Sequence, residues 1–131
     1  MNRLESASLR RFGTSAIALI GRRRVLLLET TGRRTGQTRR TPMAYWTDDH
    51  GALFIGAGAG GLARVDWVAN LRANPAAAVW IARRRRPVLA VELTGDTAEQ
   101  ARRHTQAIWP DAARYEQMSG RRAPYFRLDP G

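Results

Sequence analysis

The segment from Val25 to Pro42 reads V-L-L-L-E-T-T-G-R-R-T-G-Q-T-R-R-T-P. Its first four residues, Val25 to Leu28, form an apolar run that is typical of a buried strand. Two glycines, four arginines and several hydroxyl side chains follow before Pro42. The pattern predicts a strand, a loop and a second strand, and Pro42 confines that second strand to a sheet edge or a bulge.

The loop of this unit has the chemistry of an anion-binding turn. Gly32 and Gly36 allow positive φ angles and can bring backbone N–H groups close to a ligand. Arginine adds a planar fork of donors that suits phosphate and carboxylate groups. The alternative is a solvated hairpin in a chain that is rich in arginine throughout, and the spacing alone leaves both interpretations open.

The composition predicts one basic domain that spans residues 1–131. The formal net charge is +11, and all 22 basic residues are arginines. A chain of this length has room for a single core. Its charge favours anionic partners, which include nucleic acid, small anionic ligands and an anionic membrane surface.

Several kinds of site and segment are excluded. Without cysteine, disulfides, thiolate nucleophiles and zinc–thiolate sites cannot form. His50 and His104 have no second ligand at metal spacing, so we expect no metal site. The apolar stretch 16–20 is too short to span a membrane and lacks a signal-peptide cleavage site. We therefore expect a cytoplasmic protein.

An amphipathic helix is predicted over residues 4–20. Its basic ends would suit contact with an anionic bilayer at the inner face of the cell membrane. Packing over a barrel mouth is the simpler alternative.

The remaining patterns predict short strands joined mostly by hairpins. Strands are expected over 24–31, 39–47, 52–57, 77–82, 88–94 and 124–128, with turns at 48–51 and 83–86. Helices are expected over 63–73 and from Asp96 to Trp109. Asp96 and Glu99 form a box-like pairing at the start of the second helix. A shorter helical or irregular piece then holds Tyr115 and Met118. Because hairpin-length connections join antiparallel strands, the economical fold is an antiparallel barrel of about six strands with flanking helices.

The motifs resemble one known family. The run T-T-G-R-R-T-G-Q-x-R-x-x-P that ends at Pro42, the pair Gly60-Gly61, and the segment from Trp67 to Pro75 are similar to the deazaflavin-dependent nitroreductase and quinone reductase family of actinobacteria. The ordered matches cover residues 24–94. The resemblance implies a split β-barrel, as in pyridoxamine-phosphate-oxidase-like proteins, and coenzyme F420 as the cofactor.

The resemblance also assigns roles to particular residues. Arginines would face the phosphate and carboxylates of the F420 tail, within a turn shaped by small and polar residues; these are Arg33, Arg34 and Arg39, with Thr35, Gly36 and Gln37. Residues near the ring or on the following helix would be Pro42, Ala44, Ala57, Gly58, Ala59, Gly60, Gly61, Asp66, Trp67 and Asn70. Trp67 could equally belong to the core.

The sequence departs from the family pattern at several positions. Gly58 and Ala59 stand where nitroreductase-type members carry serine and lysine, so reduction of nitro compounds is not implied. Ala44 replaces an aromatic residue. Of a series of tyrosines around the acceptor pocket only Tyr115 persists, with Trp109 at an earlier aromatic position. Tyr115 is the candidate catalytic residue, either covering the acceptor or supplying a proton, and its alternative role is packing.

The function implied is hydride transfer from reduced F420 to an apolar acceptor such as a quinone. The protein would supply binding, orientation and electrostatics while the cofactor supplies the chemistry. One alternative is a relative that uses flavin mononucleotide or carries a cofactor without catalysis. A nucleic-acid-binding barrel is a third, but clustered aromatics for base stacking are missing, so no specific nucleic acid is expected. The sequence leaves the oligomeric state open.

Overall fold

A computed structural model describes residues 24–56, 66–120 and 122–131, without the side chains of Tyr115 and Ser119. The predicted N-terminal helix over 4–20 and the glycine-containing segment 57–61 lie outside these residues. No helix within the described ranges is long and apolar enough to cross a bilayer.

Seven strands and three helices make up the described fold. The strands are β1 (Val25–Thr31), β2 (Thr38–Ala44), β3 (Trp46–Thr47), β4 (Leu53–Gly56), β5 (Ala76–Ile81), β6 (Arg84–Glu92) and β7 (Tyr125–Pro130). The helices are α1 (Asp66–Ala73), α2 (Gly95–Ile108) and α3 (Pro110–Ser119).

All strand pairs are antiparallel, and the sheet order is β2-β1-β5-β6-β7-β4-β3. The sheet curls into a half-barrel, which confirms the predicted mainly β, antiparallel split-barrel class. β2 is an edge strand, as Pro42 requires. The strand count exceeds six because the predicted strand 39–47 is interrupted at Tyr45, whose N–H donates to the carbonyl of Arg24 at 3.0 Å.

The main core lies on one face of the sheet, beneath α1. Alternating residues of β1 supply Leu26 and Leu28, and β7 supplies Phe126, all at most 2 % exposed. Trp67 and Leu71 of α1 complete this cluster. The face of α1 that carries them therefore fixes this helix against the sheet.

A second apolar cluster lies under α2, on the other face of the sheet. It contains Leu93, Ala101 and Tyr125, with Trp46 packed against it. Trp46 stacks on Phe54, with 4.2 Å between the ring centroids, and its Nε1 donates to Thr105 Oγ1 at 2.9 Å. α2 is thus held by both apolar packing and a directed hydrogen bond.

The two predicted hairpin turns have different outcomes. At 48–51 the turn is confirmed: Asp48 Oδ1 accepts from the N–H groups of His50 and Ala52, and Gly51 has φ +80. At 83–86 the predicted tip is too long, because the turn consists of Ala82 and Arg83 and the next arginines already belong to β6. Both turn residues have positive φ, 50 and 71, which matches the twist of a two-residue hairpin.

The start of α2 also differs from the prediction. Thr94 is the N-cap, and Thr97 Oγ1 donates to its carbonyl at 2.7 Å. Glu99 does not close a capping box; its carboxylate accepts from Arg102 at 3.0 Å and Arg122 at 2.9 Å. The predicted end of the helix at Trp109 is confirmed.

Candidate cofactor-binding site

The turn between β1 and β2 is held by its own backbone. The N–H of Gly32 donates to the carbonyl of Gln37 at 2.7 Å, and the N–H of Gly36 donates to the carbonyl of Gly32 at 2.8 Å. A Cβ at Gly32 would lie only 2.9 Å from Thr35 Oγ1, so glycine is required there by close approach. Gly36 meets the other requirement, a positive φ of 72.

The backbone of this turn is less available to a ligand than the glycines suggested. Thr35 Oγ1 accepts from the N–H of Gln37 at 3.2 Å, and Asn70 Oδ1 accepts from the N–H of Arg33 at 3.1 Å. With the two bonds of Gly32 and Gly36, four of the turn's N–H groups already have acceptors. These four N–H groups are therefore satisfied within the protein, and the guanidinium groups of the turn are further candidates for binding an anion.

Helix α1 contacts the turn through polar side chains. Asn70 Oδ1 accepts from Arg33 Nη1 at 3.1 Å as well as from the Arg33 backbone, and Asn70 Nδ2 donates to Thr30 Oγ1 at 3.3 Å. Asp66, at the first turn of α1, places Oδ1 3.7 Å from Arg33 Nη2. The structure thus brings three predicted site residues, Arg33, Asp66 and Asn70, into one cluster.

Arg34 and Arg39 differ from Arg33 in their surroundings. Both are exposed, and neither is paired with a carboxylate in the described part of the chain. Arg39 pairs with Thr30 in the sheet register, so its side chain leaves β2 on the same face as Thr30 and α1. These two guanidinium groups are therefore available to an anionic ligand.

Pro42 and Ala44 lie on the opposite face of β2 from Arg39. Side chains alternate along a strand, and the register with β1 is regular from Thr38 to Ala44. Arg40, on the Pro42 side, reaches Glu29 of β1, whereas Met43 enters the core on the other side. A ligand that contacts Arg39 on one face and Pro42 and Ala44 on the other has to pass around the β2 edge of the sheet.

Other predicted site residues are placed as follows. Trp67 is 8 % exposed and packs on Phe126 with 5.7 Å between centroids, which fits its alternative role in the core. Tyr115 lies in α3, but its side chain is outside the described atoms, and so are Ala57, Gly58, Ala59, Gly60 and Gly61. Trp109 is buried between α2 and α3.

A charged cluster around Glu29 was not predicted from the sequence. Arg85 Nη2 and Trp80 Nε1 donate to its carboxylate at 2.8 and 3.2 Å, and Arg40 Nε lies 3.3 Å away. Burial raises the pKa of Glu29, but the hydrogen bonds from Arg85 and Trp80 and the charges of Arg85 and Arg40 outweigh it, so the pKa is below its ordinary value. In the sequence, the apolar run before Glu29 was the only indication that the Glu29 side chain would be largely buried.

Beside Glu29 and the turn lies an open pocket of about 190 Å³. Its lining includes Thr31 and Thr38, which flank the turn, and Arg85. Among the described residues no group of three His, Cys, Asp or Glu side chains could hold a metal ion. The pocket lining combines threonine hydroxyl groups and the Arg85 guanidinium with the Glu29 carboxylate.

The chain matches proteins of a known family. The family model for F420H(2)-dependent quinone reductase matches residues 1–130. A Mycobacterium tuberculosis protein, Rv3178, whose name proposes an F420H(2)-dependent quinone reductase, is 34% identical over 85 residues, which are 65% of this chain and 66% of that protein. This chain therefore spans slightly less than two thirds of that relative.

Solved structures share the fold. A structure described as an F420-H2 dependent reductase (FDR-A) superposes with a TM-score of 0.70 at 28% identity, covering 82% of this chain and 95% of that one. A Listeria innocua protein named after pyridoxamine 5′-phosphate oxidase superposes with a TM-score of 0.57 at 14% identity, and the match covers 88% of this chain and 90% of that one. At this identity, the similarity supports the fold only. With a family model that matches nearly the whole sequence, this chain belongs to the F420H(2)-dependent quinone reductase family.

Proposed function

We propose that this F420H2-dependent oxidoreductase transfers a hydride from reduced F420 to a quinone, and that it holds the cofactor tail at the turn between β1 and β2. The observation that carries the tail site is the contrast among the turn's arginines. Arg33 is engaged by α1, while Arg34 and Arg39 are exposed with no carboxylate partner in the described ranges. Exposed, uncompensated guanidinium groups beside a rigid turn fit phosphate and carboxylate ligands.

The donor set of the turn fits the F420 tail, which carries a phosphate and a chain of glutamates. Arg34 and Arg39 supply fork-shaped donors, and Arg33 adds positive charge although Nη1 is bonded to Asn70. Thr35, Gly36 and Gln37 shape the turn through the bonds described above. These residues bind and orient the tail, so their contribution is to cofactor affinity and not to the hydride step itself.

When bound, the reduced deazaflavin supplies the hydride from its C5 position. Pro42 and Ala44 are proposed to line the ring side of β2, and residues 57–61 to run beside the ring. Tyr115 is proposed to cover the acceptor or to hold a proton for it. The quinone itself is supported by the family name.

The site is tested by fluorescence titration of the protein with F420 and with flavin mononucleotide. A charge-assisted hydrogen bond contributes about 1.5 to 3 kcal/mol, so Arg34→Ala and Arg39→Ala should each weaken F420 binding by about one to two powers of ten. Arg103→Ala is the matched control, because it removes an exposed arginine of α2 that has no carboxylate partner among the described residues.

Three results would contradict the proposal in different ways. Tighter binding of flavin mononucleotide than of F420 by the wild type would indicate the flavin-using alternative. Equal F420 affinity in the wild type, Arg34→Ala and Arg39→Ala would show that the F420 tail does not bind at this turn. An equal loss in Arg103→Ala would indicate a diffuse effect of net charge.

A further inference from the structure

Asn70 is buried at the junction of α1 and the turn, where its amide is fully oriented. Its side chain lies among Thr30, which is 2 % exposed, and the Arg33 backbone, and Asn70 itself is 3 % exposed. Arg33 offers only donors, through its N–H and Nη1, so the Asn70 carbonyl oxygen has to face it. The amide nitrogen is thereby directed at Thr30 Oγ1.

Because of these bonds, Asn70 Oδ1 is not free to accept a hydrogen bond from a ligand. Both lone pairs of Oδ1 are used by Arg33, at 3.1 Å each. The side chain is also too deeply buried to meet a solvent-borne cofactor. Asn70 therefore acts through Arg33 and not by direct contact.

The Arg33 guanidinium is restrained from two sides by α1. Nη1 donates to Asn70, and Nη2 lies 3.7 Å from Asp66 Oδ1. Because the backbone N–H of the same residue is bonded to Asn70 as well, both the start of the turn and its first arginine are fixed to the helix. The next residue, Arg34, begins the part of the turn that carries free donors.

We propose that Asn70 is a positioning residue for the cofactor tail: it clamps Arg33 and the start of the turn to α1, and so fixes the geometry in which Arg34 and Arg39 meet the tail. This inference rests on the proposed function, and it assigns Asn70 a role distinct from the direct cofactor contact that the family resemblance implies. The same cluster assigns Thr30 a role, since its hydroxyl orients the Asn70 amide.

The test compares two substitutions of similar volume by titration with F420 and with a deazaflavin that lacks the phosphate–glutamate tail. Asn70→Leu removes the acceptor, and we expect F420 to bind about tenfold more weakly while the tailless compound binds as before. Asn70→Asp keeps an acceptor for Arg33, and the Thr30 hydroxyl can turn to donate to it, so F420 affinity should stay within about threefold of the wild type. Asn74→Leu is the matched control, because Asn74 is an exposed asparagine just past α1 whose Oδ1, within the described ranges, accepts from the nearby Ala76 N–H alone.

Amide hydrogen exchange adds a readout that does not depend on the cofactor. The Arg33 N–H should be protected in the wild type and in Asn70→Asp, and should exchange rapidly in Asn70→Leu. An unprotected Arg33 amide in the folded wild type would overturn the clamp directly. If Asn70→Leu fails to fold, the titration is done with Thr30→Val instead. We expect its affinity for F420 to fall by about two- to tenfold, while its affinity for the tailless compound stays the same.

The outcomes separate this inference from the proposed function. A wild type that does not bind F420 would contradict the proposed function, whatever the exchange data show. A wild type that binds F420 while Asn70→Leu binds it equally well would overturn the positioning role and leave the function standing. Equal weakening toward F420 and the tailless compound would likewise overturn it, because the effect would then not act through the tail.

Discussion

Arg85 of β6 donates two hydrogen bonds to a single carboxylate oxygen of Glu29 on β1, at 2.8 and 3.2 Å, although the two strands are separated by β5. The Glu29 side chain is 13 % exposed and also receives bonds from Trp80 of β5 and Arg40 of β2. One carboxylate therefore ties four neighbouring strands together on the face opposite the main core.

We expect Glu29→Gln to lower the free energy of unfolding by about 1 to 2 kcal/mol at neutral pH. The amide keeps the shape but loses the charge that strengthens the bonds from Arg85 and Arg40, and both arginines are partly exposed, which limits the cost. Urea unfolding followed by circular dichroism measures the change. Asp49→Asn, at an exposed carboxylate in the 48–51 turn, should have little effect.

The pKa of Glu29 gives this prediction a pH dependence. Because its pKa is lower in the folded than in the unfolded protein, its stabilisation is present above the ordinary carboxyl value of 4.5 and is lost as the pH falls below it. The stability difference between the wild type and Glu29→Gln should therefore shrink on acidification. A constant difference between pH 7 and pH 3 would contradict this account.

Gly32→Ala tests whether the turn is as tightly closed as its contacts indicate. The added Cβ would lie 2.9 Å from Thr35 Oγ1 and 3.1 Å from the Gln37 carbonyl oxygen, which also accepts the Gly32 N–H. We expect a loss of about 1 to 3 kcal/mol of stability and weaker F420 binding.

The control for this substitution is Gly51→Ala in the other hairpin. Gly51 has φ +80 with no atom within 4 Å of an added Cβ, so alanine there costs backbone strain of roughly 1 to 2 kcal/mol without a clash. Its F420 affinity should be unchanged. Unaltered F420 binding in Gly32→Ala would mean that the turn can relax, or that the tail lies elsewhere.

Much of the fold was readable from local patterns because those patterns are decided by nearby residues. The apolar run after Arg24 forms β1, Pro42 lies in an edge strand, and Asp48 with Gly51 forms the expected turn. The break at Tyr45 was not readable, since there the chain leaves its pairing with β1 and Trp46 begins to pair with Phe54 of β4. The extra strand follows from this change of partner strand.

The site was predictable as a set of residues but not as a division of roles. The motif indicated Arg33, Arg34 and Arg39 alike, and only the packing of α1 separates Arg33, through Asn70, from the other two. Glu29 was missed for a similar reason. Its partners Trp80 and Arg85 are 51 and 56 positions away, and the sheet register alone brings them together.

The pair Arg72–Glu92 provides a contrast to Glu29. Arg72 in the last turn of α1 donates to both Glu92 oxygens, at 2.8 and 2.7 Å, and this hydrogen bonding lowers the pKa of Glu92 against the opposing effect of its burial. The Arg72 side chain is 56 % exposed, so solvent screens the pair.

We therefore expect Arg72→Ala to lower stability by only about 0.5 kcal/mol, and this loss should shrink at high salt. F420 affinity should change less than about twofold, because α1 remains docked by Trp67 and Leu71. Thermal unfolding at two salt concentrations, with Arg103→Ala as a control for the loss of one positive charge, measures the effect. A loss larger than that of Glu29→Gln would reverse the ranking of the two clusters.

The Tyr125 hydroxyl is buried without a hydrogen-bond partner among the described residues. Its ring fills the space above Gly56, where an added Cβ would lie 2.6 Å from Tyr125 Cδ1. Burial raises the pKa of Tyr125 to about 12, and the nearby Glu116 carboxylate adds to this effect. A phenylalanine keeps the ring and removes the unsatisfied group, so Tyr125→Phe should be more stable than the wild type by about 1 kcal/mol at neutral pH.

For the wild type, the raised pKa of Tyr125 leaves stability constant below the ordinary value of 10.0, and stability falls above it as the unfolded chain ionises first. The advantage of Tyr125→Phe should thus grow by about another 1 kcal/mol at pH 11. Urea unfolding at pH 8 and pH 11 measures both effects, with Tyr45→Phe as a control that should retain the alkaline loss. A destabilised Tyr125→Phe would show that the hydroxyl has a partner, and an advantage that stays the same at both pH values would contradict the raised pKa.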